Sequence, residues 1–331
     1  MKKFRAFRIN NDASGYRAGR ADISVADLVD GEVLVKVEWS SVNFKDALAG
    51  TGKGKILRQF PLNGGIDVAG RVVSSTDPAF GEGDAVLCTG SGLSETRDGG
   101  YGEYIKLPAL WTIPLPAGLT TREAMALGTA GFTAALSLLR MLDNRQAPSM
   151  GPIAVTGATG GVGMLATDIF TRAGFEVHAI SGKADRFDFL KGIGATQCID
   201  RHHLQFSGKP LDSGRFGGAL DNVGGDMLSG LLPLIVPYGN VASCGLAGSP
   251  ALPTTVMPFI IRGVSLLGIA SAGTARDIRE EVWRRLAGDW KPLHLDTIVT
   301  REITLDELPG VFEGMLEGQS FGRTVVRVAE D

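Results

Sequence analysis

One run constrains this chain more than any other: Ile153-Ala154-Val155-Thr156-Gly157-Ala158-Thr159-Gly160-Gly161-Val162-Gly163. A short apolar strand leads into a glycine-rich turn. The turn opens an amphipathic helix with Val162, Leu165, Ala166, Ile169, Phe170 and Ala173 along one face. Glycines permit a sharp turn and a close backbone approach that a Cβ would block. The helix N-terminus then offers unpaired N–H groups and the positive end of its dipole to a negative charge. With a second strand following at 175–181, this order is the fingerprint of a dinucleotide-binding fold. The plainer alternative is a glycine-rich turn in an α/β fold that binds nothing.

The alternation continues on both sides of that run. Further strands are expected at 195–200, 217–223, 240–245 and 264–271, with a helix through 186–194. Strands alternating with helices predict a doubly wound parallel sheet. Residues 1–120 read differently. GEVLVKVEWSSV (31–42) places Val33, Val35, Val37 and Trp39 on one face, and 70–75, 84–90 and 101–107 are further short strands, the texture of a small β barrel. A helix over 120–142 follows, with Thr121 as its N-cap. A packing helix at 275–288 carries Ile278, Val282 and Leu286 on its apolar face, with Glu280–Arg284 and Glu281–Arg285 pairs on the other. The helix at 306–318 and the strand at 322–330 are expected to return to the first domain. The predicted domains are therefore 1–124, rejoined by 298–331, and 125–297.

The full 331 residues exceed what one ordinary core holds, which supports two domains. A net charge of −3 provides no basic field for nucleic acid. Cys88, Cys198 and Cys244 form no C-x-x-C, and no two of His178, His202, His203 and His294 stand at i, i+4 spacing, so no metal site is expected. MKKFRAFRIN has no apolar run, so no signal peptide is expected, and no stretch of about 18 apolar residues is apparent for a membrane span. The chain reads as cytoplasmic. A match to T-G-x-x-x-G-x-G of short-chain dehydrogenases is set aside, because none of Tyr16, Tyr101, Tyr104 and Tyr238 has a lysine four residues later.

The second strand selects the nucleotide. NAD-binding strands usually end in Asp or Glu, which holds the ribose 2′-OH. Here the strand ends Ser181-Gly182-Lys183. A hydroxyl and an ammonium accept a 2′-phosphate that a carboxylate would repel, which favours NADPH. The alternative is a Lys183 that is only a solvated surface lysine.

A β-rich N-terminal region, a central dinucleotide fold and a returning C-terminus resemble the medium-chain dehydrogenase/reductase superfamily over essentially the whole chain. Zinc alcohol dehydrogenases of that superfamily carry Gly-His-Glu and a four-cysteine lobe. Here Gly65-Ile66-Asp67-Val68-Ala69-Gly70 takes the place of the first and the second is missing, so the resemblance is to the zinc-free reductases. The stretches 39–56, 127–134, 155–163, 242–248 and 252–269 are similar to NADPH-dependent acryloyl-CoA reductases, the YhdH/YhfP-type quinone oxidoreductase branch. The resemblance implies a GroES-like β-rich barrel domain and a Rossmann domain. It implies reduction of the C=C bond of acryloyl-CoA to propionyl-CoA, with hydride to the β-carbon and a proton to the α-carbon. The alternatives are an NADPH:quinone or free-enone reductase, and a non-catalytic NADPH-binding protein. A homodimer joined through 264–271 is also implied.

The resemblance further implies which residues form the site. Asn43, Phe44 and Lys45 are the catalytic candidates. Many relatives have Tyr where this chain has Phe44, which can pack on the nicotinamide but cannot donate a proton. Asn43 or Lys45 could polarise the substrate carbonyl, or Lys45 and Asp46 could be only a structural pair. The implied cofactor residues are Phe44, Thr159, Gly160, Gly161, Val162, Ser181, Gly182, Lys183, Arg201, Leu246, Ile260 and Ser271. Leu246 and Ile260 could instead be core. Asp221-Asn222 is a candidate wall, and Lys53, Lys55, Arg58, Arg262 and Arg323 are candidates for the phosphates of an acyl-CoA.

Overall fold

The structure is a computed structural model and describes residues 3–329. The strands are β1 (Phe4–Asp12), β2 (Gly15–Ile23), β3 (Val33–Ser41), β4 (Leu62–Asn63), β5 (Asp67–Ser75), β6 (Ala85–Thr89), β7 (Tyr104–Leu107), β8 (Ile113–Pro114), β9 (Ile153–Thr156), β10 (Val177–Ser181), β11 (Gln197–Asp200), β12 (Phe216–Asp221), β13 (Ile235–Ser243), β14 (Ser265–Gly268), β15 (Val299–Ile303) and β16 (Arg323–Arg327). The helices are α1 (Phe44–Thr51), α2 (Thr121–Asp143), α3 (Gly161–Arg172), α4 (Phe187–Gly192), α5 (Gly225–Leu231), α6 (Met257–Arg262), α7 (Arg276–Leu286), α8 (Leu295–Ile298) and α9 (Leu308–Leu316). Two compact units result. Unit 1 takes the chain up to Thr129, Ala272–Ala287 and the chain from Leu295 onward. Unit 2 takes Ala130–Ser271 and Gly288–His294.

Unit 1 is built on a mixed sheet in the order β15-β16-β3-β5-β6-β8, with β7 also paired to β3, and on a smaller sheet β2-β1-β4. The alternation of Val33, Val35 and Val37 turns all three into a core that includes Val68, Ile105 and Phe312. The last strand, β16, pairs antiparallel with β3.

Unit 2 is a parallel sheet in the order β11-β10-β9-β12-β13-β14. The chain winds outward from β9 to β11, then reverses to β12. Ligands of such sheets bind at that switch point, beyond the carboxyl ends of the strands. All four residues of β9 are buried, which accounts for its unbroken apolar character.

Several local expectations need correction. The N-cap of α2 is Thr120, not Thr121: the Glu123 N–H donates to Thr120 Oγ1 (3.1 Å) and the Thr120 N–H to Glu123 Oε2 (2.8 Å), a capping box. The Thr121 hydroxyl donates instead to Glu38 Oε2. Against expectation, α2 is long and apolar enough to cross a membrane, but 78% of its most apolar window is buried inside the protein. In α7 the buried face is Arg279, Val282, Trp283 and Leu286, while Ile278 is 41% exposed. Glu280 pairs with Arg276, and Glu281 holds both Arg284 and Arg285. Arg279 donates to Thr89 O and Ala272 O, which anchors 272–287 in unit 1 although the sequence places it in the second domain. The expected strand 264–271 is only Ser265–Gly268, and Ser271 opens a short 3-10 turn.

Strands β1, β2 and β15 and helix α1 are not among the expected elements. Charges mask their patterns. Arg8 lies inside β1 yet is buried, donating to Asp98 Oδ1 (2.7 Å) and Asn63 Oδ1 (3.0 Å).

Candidate functional site

In unit 2, β9 is followed by Gly157, whose φ of 58° favours glycine. The chain then turns through Ala158 and Thr159 to Gly160, the N-cap of α3, where no side chain caps the helix. A Cβ on Gly163 would stand 2.4 Å from Gly157 O and 2.6 Å from Ala158 Cα. The first turn of α3 therefore packs directly on its own entry loop, and its N–H groups, which have no intrahelical acceptor, face outward. A pyrophosphate needs this cradle.

Beside it stands the tip of β10. The Ser181 hydroxyl, almost fully buried, lies 3.1 Å from Thr159 Oγ1 and accepts the Lys183 N–H at 3.1 Å. Parallel pairing sets Ser181 opposite Asp200, and the Arg201 N–H donates to Ser181 O (3.0 Å). The guanidinium of Arg201 folds back over the turn: a Cβ on Gly182 would stand 2.5 Å from its Nε. Burial lowers the pKa of the Lys183 ammonium, and Arg186 and Arg201 lower it further. Gly160, Gly161, Val162, Gly182, Lys183 and Arg201 thus gather around the buried hydroxyls of Thr159 and Ser181 in unit 2. A dinucleotide with a 2′-phosphate fits them: glycines at the pyrophosphate, cations and a hydroxyl at the β10 tip.

Asp221 and Asn222 serve as a bracket. Thr156 Oγ1 donates to Asp221 Oδ1 (2.7 Å), and the Asn222 amide donates to Thr156 O (2.8 Å). The Cys244 thiol donates to Asn222 Oδ1 (3.2 Å). The ends of β9, β12 and β13 are locked together at the switch point. Leu246 and Ile260 are not core: they are 62% and 70% exposed. Ser271 is half-buried at the border of unit 2.

In unit 1 the expected catalytic candidates stand at the start of α1. Asn43 is its N-cap, and Phe44, its first residue, is 45% exposed. The Asn43 amide is committed: Nδ2 donates to Asp46 Oδ2 (3.1 Å) and Asp67 Oδ2 (2.7 Å), and Oδ1 accepts from Arg323 (3.3 Å). Lys45 pairs with Glu95, not with Asp46. Asp46 points inward at 1% exposure, accepting the N–H groups of Asn43 (2.8 Å) and Ile66 (2.9 Å).

Sequence reasoning missed the network below. Asp67 accepts from the Ser41 hydroxyl (2.6 Å) and from the N–H (3.0 Å) and hydroxyl (2.6 Å) of Thr129. Arg323, buried at 2% exposure, donates to the carbonyls of Val42 (3.0 Å), Ala126 (2.9 Å) and Met125 (3.3 Å). That removes it as a phosphate ligand. Arg262 is also withdrawn, its guanidinium spent on the carbonyls of Pro233, Ile235 and Asp212. Lys53, Lys55 and Arg58 remain exposed. The Asn-x-x-Asp spacing of Asn43 and Asp46 was the available signal: it marks a helix start.

Comparison with known proteins places this geometry in a family. Residues 29–117 match the alcohol dehydrogenase GroES-like domain, and residues 161–288 match the family described as zinc-binding dehydrogenase. The chain is 45% identical to YhfP of Bacillus subtilis, a proposed quinone oxidoreductase by name, over 98% of this chain and 99% of the relative. It is 42% identical to the acrylyl-CoA reductase AcuI of Ruegeria pomeroyi over the same shares of each. The solved structure of Salmonella enterica yhdH in complex with NADP superposes with a TM-score of 0.94, at 42% identity, over 98% of this chain and 100% of that one. Bacillus subtilis yhfP, solved with NAD bound, gives 0.95 at 44%, over 99% and 100%.

The chain belongs to the medium-chain dehydrogenase/reductase family of oxidoreductases, in the branch of these reductases, with a GroES-like domain and a Rossmann domain. A zinc ion does not fit: among the described residues, no group of three or more His, Cys, Asp or Glu side chains is placed to hold a metal.

Burial, and secondarily the charge of Asp67, push the Asp46 carboxyl up to about 7. The folded state then binds the proton more tightly than the unfolded chain, whose carboxyl titrates near 3.8. This contribution to stability is complete below about pH 4 and disappears as pH rises to about 7. Residue-resolved carbon NMR should show Asp46 titrating near neutrality. A midpoint in the ordinary carboxylate range would refute the assignment.

Proposed function

We propose that this protein is an NADPH-dependent enoyl-CoA reductase that reduces the C=C bond of acryloyl-CoA to propionyl-CoA in the cytoplasm. The observation that carries the nucleotide choice is the β10 tip. It presents Ser181, Lys183 and a folded-back Arg201 where an NAD site presents a carboxylate. The acyl-CoA choice is supported by the acrylyl-CoA reductase from Ruegeria pomeroyi.

The bound NADPH supplies a hydride. The chain's own residues bind and orient. The open N-terminus of α3 would hold the pyrophosphate, and Ser181, Lys183 and Arg201 would hold the 2′-phosphate. Hydride addition to the β-carbon gathers negative charge on the thioester oxygen, so this chemistry needs ordered donors and little acid–base machinery. The network of Asp46, Asp67 and Arg323 fixes Asn43 and the start of α1, and so the exposed face of Phe44. Phe44 has no proton to give and Asp46 is buried, so in this reading the α-carbon is protonated from solvent. Lys53, Lys55 and Arg58 offer exposed cations to the phosphates of the CoA. We further propose a homodimer joined through β14, the edge strand of its sheet.

Three outcomes test this reading. NADPH absorbance should fall rapidly with acryloyl-CoA, more slowly with crotonoyl-CoA, and little when NADH replaces NADPH. Rapid loss with benzoquinone alone would make the protein a quinone reductase, the activity the name of YhfP proposes. Lys183→Ala should weaken NADPH binding about tenfold or more, the effect of one charge-assisted contact, and leave NADH almost unchanged. Equal losses for both would remove Lys183 from the phosphate site. Light scattering should give twice the chain mass, and a monomer would reject the β14 interface.

A further inference from the structure

The β10 tip holds one group that the proposed function does not use. A Cβ on Gly182 would stand 3.0 Å from His202 Nε2 as well as 2.5 Å from Arg201 Nε. Two consecutive side chains from beyond β11 therefore fold over the same turn, and they can do so because position 182 carries no side chain. The His202 ring is exposed, and its edge nitrogen lies on the surface where Ser181, Lys183 and Arg201 converge.

Charged groups flank this ring on both segments. From the turn after β10 come Lys183, and Arg186 with its partner Asp185 (3.0 Å). From the end of β11 come Arg201, Asp200 and His203. Asp200 is the acid that could neutralise the ring, but its carboxylate accepts the His202 backbone N–H (2.9 Å) and lies 3.5 Å from the His203 ring. Histidine is the side chain that gains its charge across the neutral range. A protonated His202 adds a donor and a positive charge to a cluster that is already cationic. That arrangement is unfavourable unless a multiply charged anion occupies it.

We infer that His202 is a further specificity-determining residue, a pH-dependent contact for the 2′-phosphate that strengthens the preference for NADPH over NADH as pH falls through neutrality. This rests on the proposed binding of NADPH and adds a regulation of that same site. Arg201 and Lys183 contribute to the same preference, and His202 adds a pH-dependent part to it.

The test is equilibrium binding, read by nucleotide fluorescence, of NADPH and NADH to the full chain at pH 8, 7 and 6. The readout is the ratio of the two dissociation constants in the native protein and in His202→Asn, which keeps the size and polarity of the ring edge but cannot charge. The native ratio should favour NADPH about tenfold more strongly at pH 6 than the variant's ratio does, and the two should merge at pH 8. The 2′-phosphate of the free nucleotide titrates near pH 6 whichever protein is present, so a difference between the two proteins reports His202 and its coupling to the bound phosphate. In Lys183→Ala the pH-dependent part should persist on a lower NADPH affinity. Native and His202→Asn ratios that coincide at every pH, with NADPH bound, would overturn this inference and leave the cofactor assignment standing. Failure to bind either nucleotide at any pH would overturn both.

Discussion

The guanidinium of Arg323 is the interaction on which unit 1 depends most. Its donors reach the carbonyls of Val42, Met125 and Ala126 and the side chain of Asn43. These belong to the end of β3, the first half of α2 and the cap of α1, while Arg323 itself opens β16. One buried cation thus ties the end of the chain to three earlier segments. Burial alone would push its pKa down, and the charges of Asp67 and Asp46 counter that. A guanidinium in this place without the Asp67 carboxylate, the larger of the two counter-charges, would be a poorly compensated buried charge, which costs several kcal/mol.

The same network accounts for the break in α2. At Gly128 the backbone leaves the helical region (φ 50°, ψ −154°). The turn that restarts the helix exposes the Thr129 N–H, and Asp67 takes it. A Cβ at 128 would stand 2.6 Å from Asp67 Oδ2, 2.7 Å from Ser41 Oγ and 2.8 Å from Arg323 Nη2. Asp67 is therefore a helix cap supplied from a neighbouring strand. It stands in the stretch where zinc-dependent relatives carry Gly-His-Glu. In this chain that stretch holds a buried carboxylate as a counter-charge.

Much of unit 2 was legible in the sequence because its elements are simple. Strands buried on both faces are short apolar runs, and the glycines after β9 have no other use as economical as a phosphate cradle. Unit 1 was less legible for the converse reason. Its decisive contacts join residues far apart in sequence through polar atoms, and polar residues in a single sequence read as surface. Arg323 and Arg262 looked like free cations because nothing local shows that backbone carbonyls will surround them. Asn43 looked like a donor aimed at substrate, whereas its amide is spent on two acids. For Leu246 and Ile260 the sequence left a site wall and a core position open, and the fold, which leaves both in solvent, removes the core.

Nucleotide choice is separable from the fold for a structural reason. In the proposed binding mode the sheet order, the β9 turn and the open end of α3 set where a dinucleotide lies. The ribose 2′ position then falls to the few residues following β10, backed by the first residues beyond β11. Relatives of almost identical fold accordingly hold NAD in one solved structure and NADP in another. In this chain Gly182 gives that short segment its character. By leaving the space above it empty, it lets Arg201 and His202 fold inward from the neighbouring strand, and a tip that is otherwise a hydroxyl and one lysine becomes a cluster of donors. A larger residue at 182 would leave the sheet and the cradle as they are and push both side chains off the turn. In the proposed reading, the nucleotide preference depends on an absent side chain as much as on the charges that surround it.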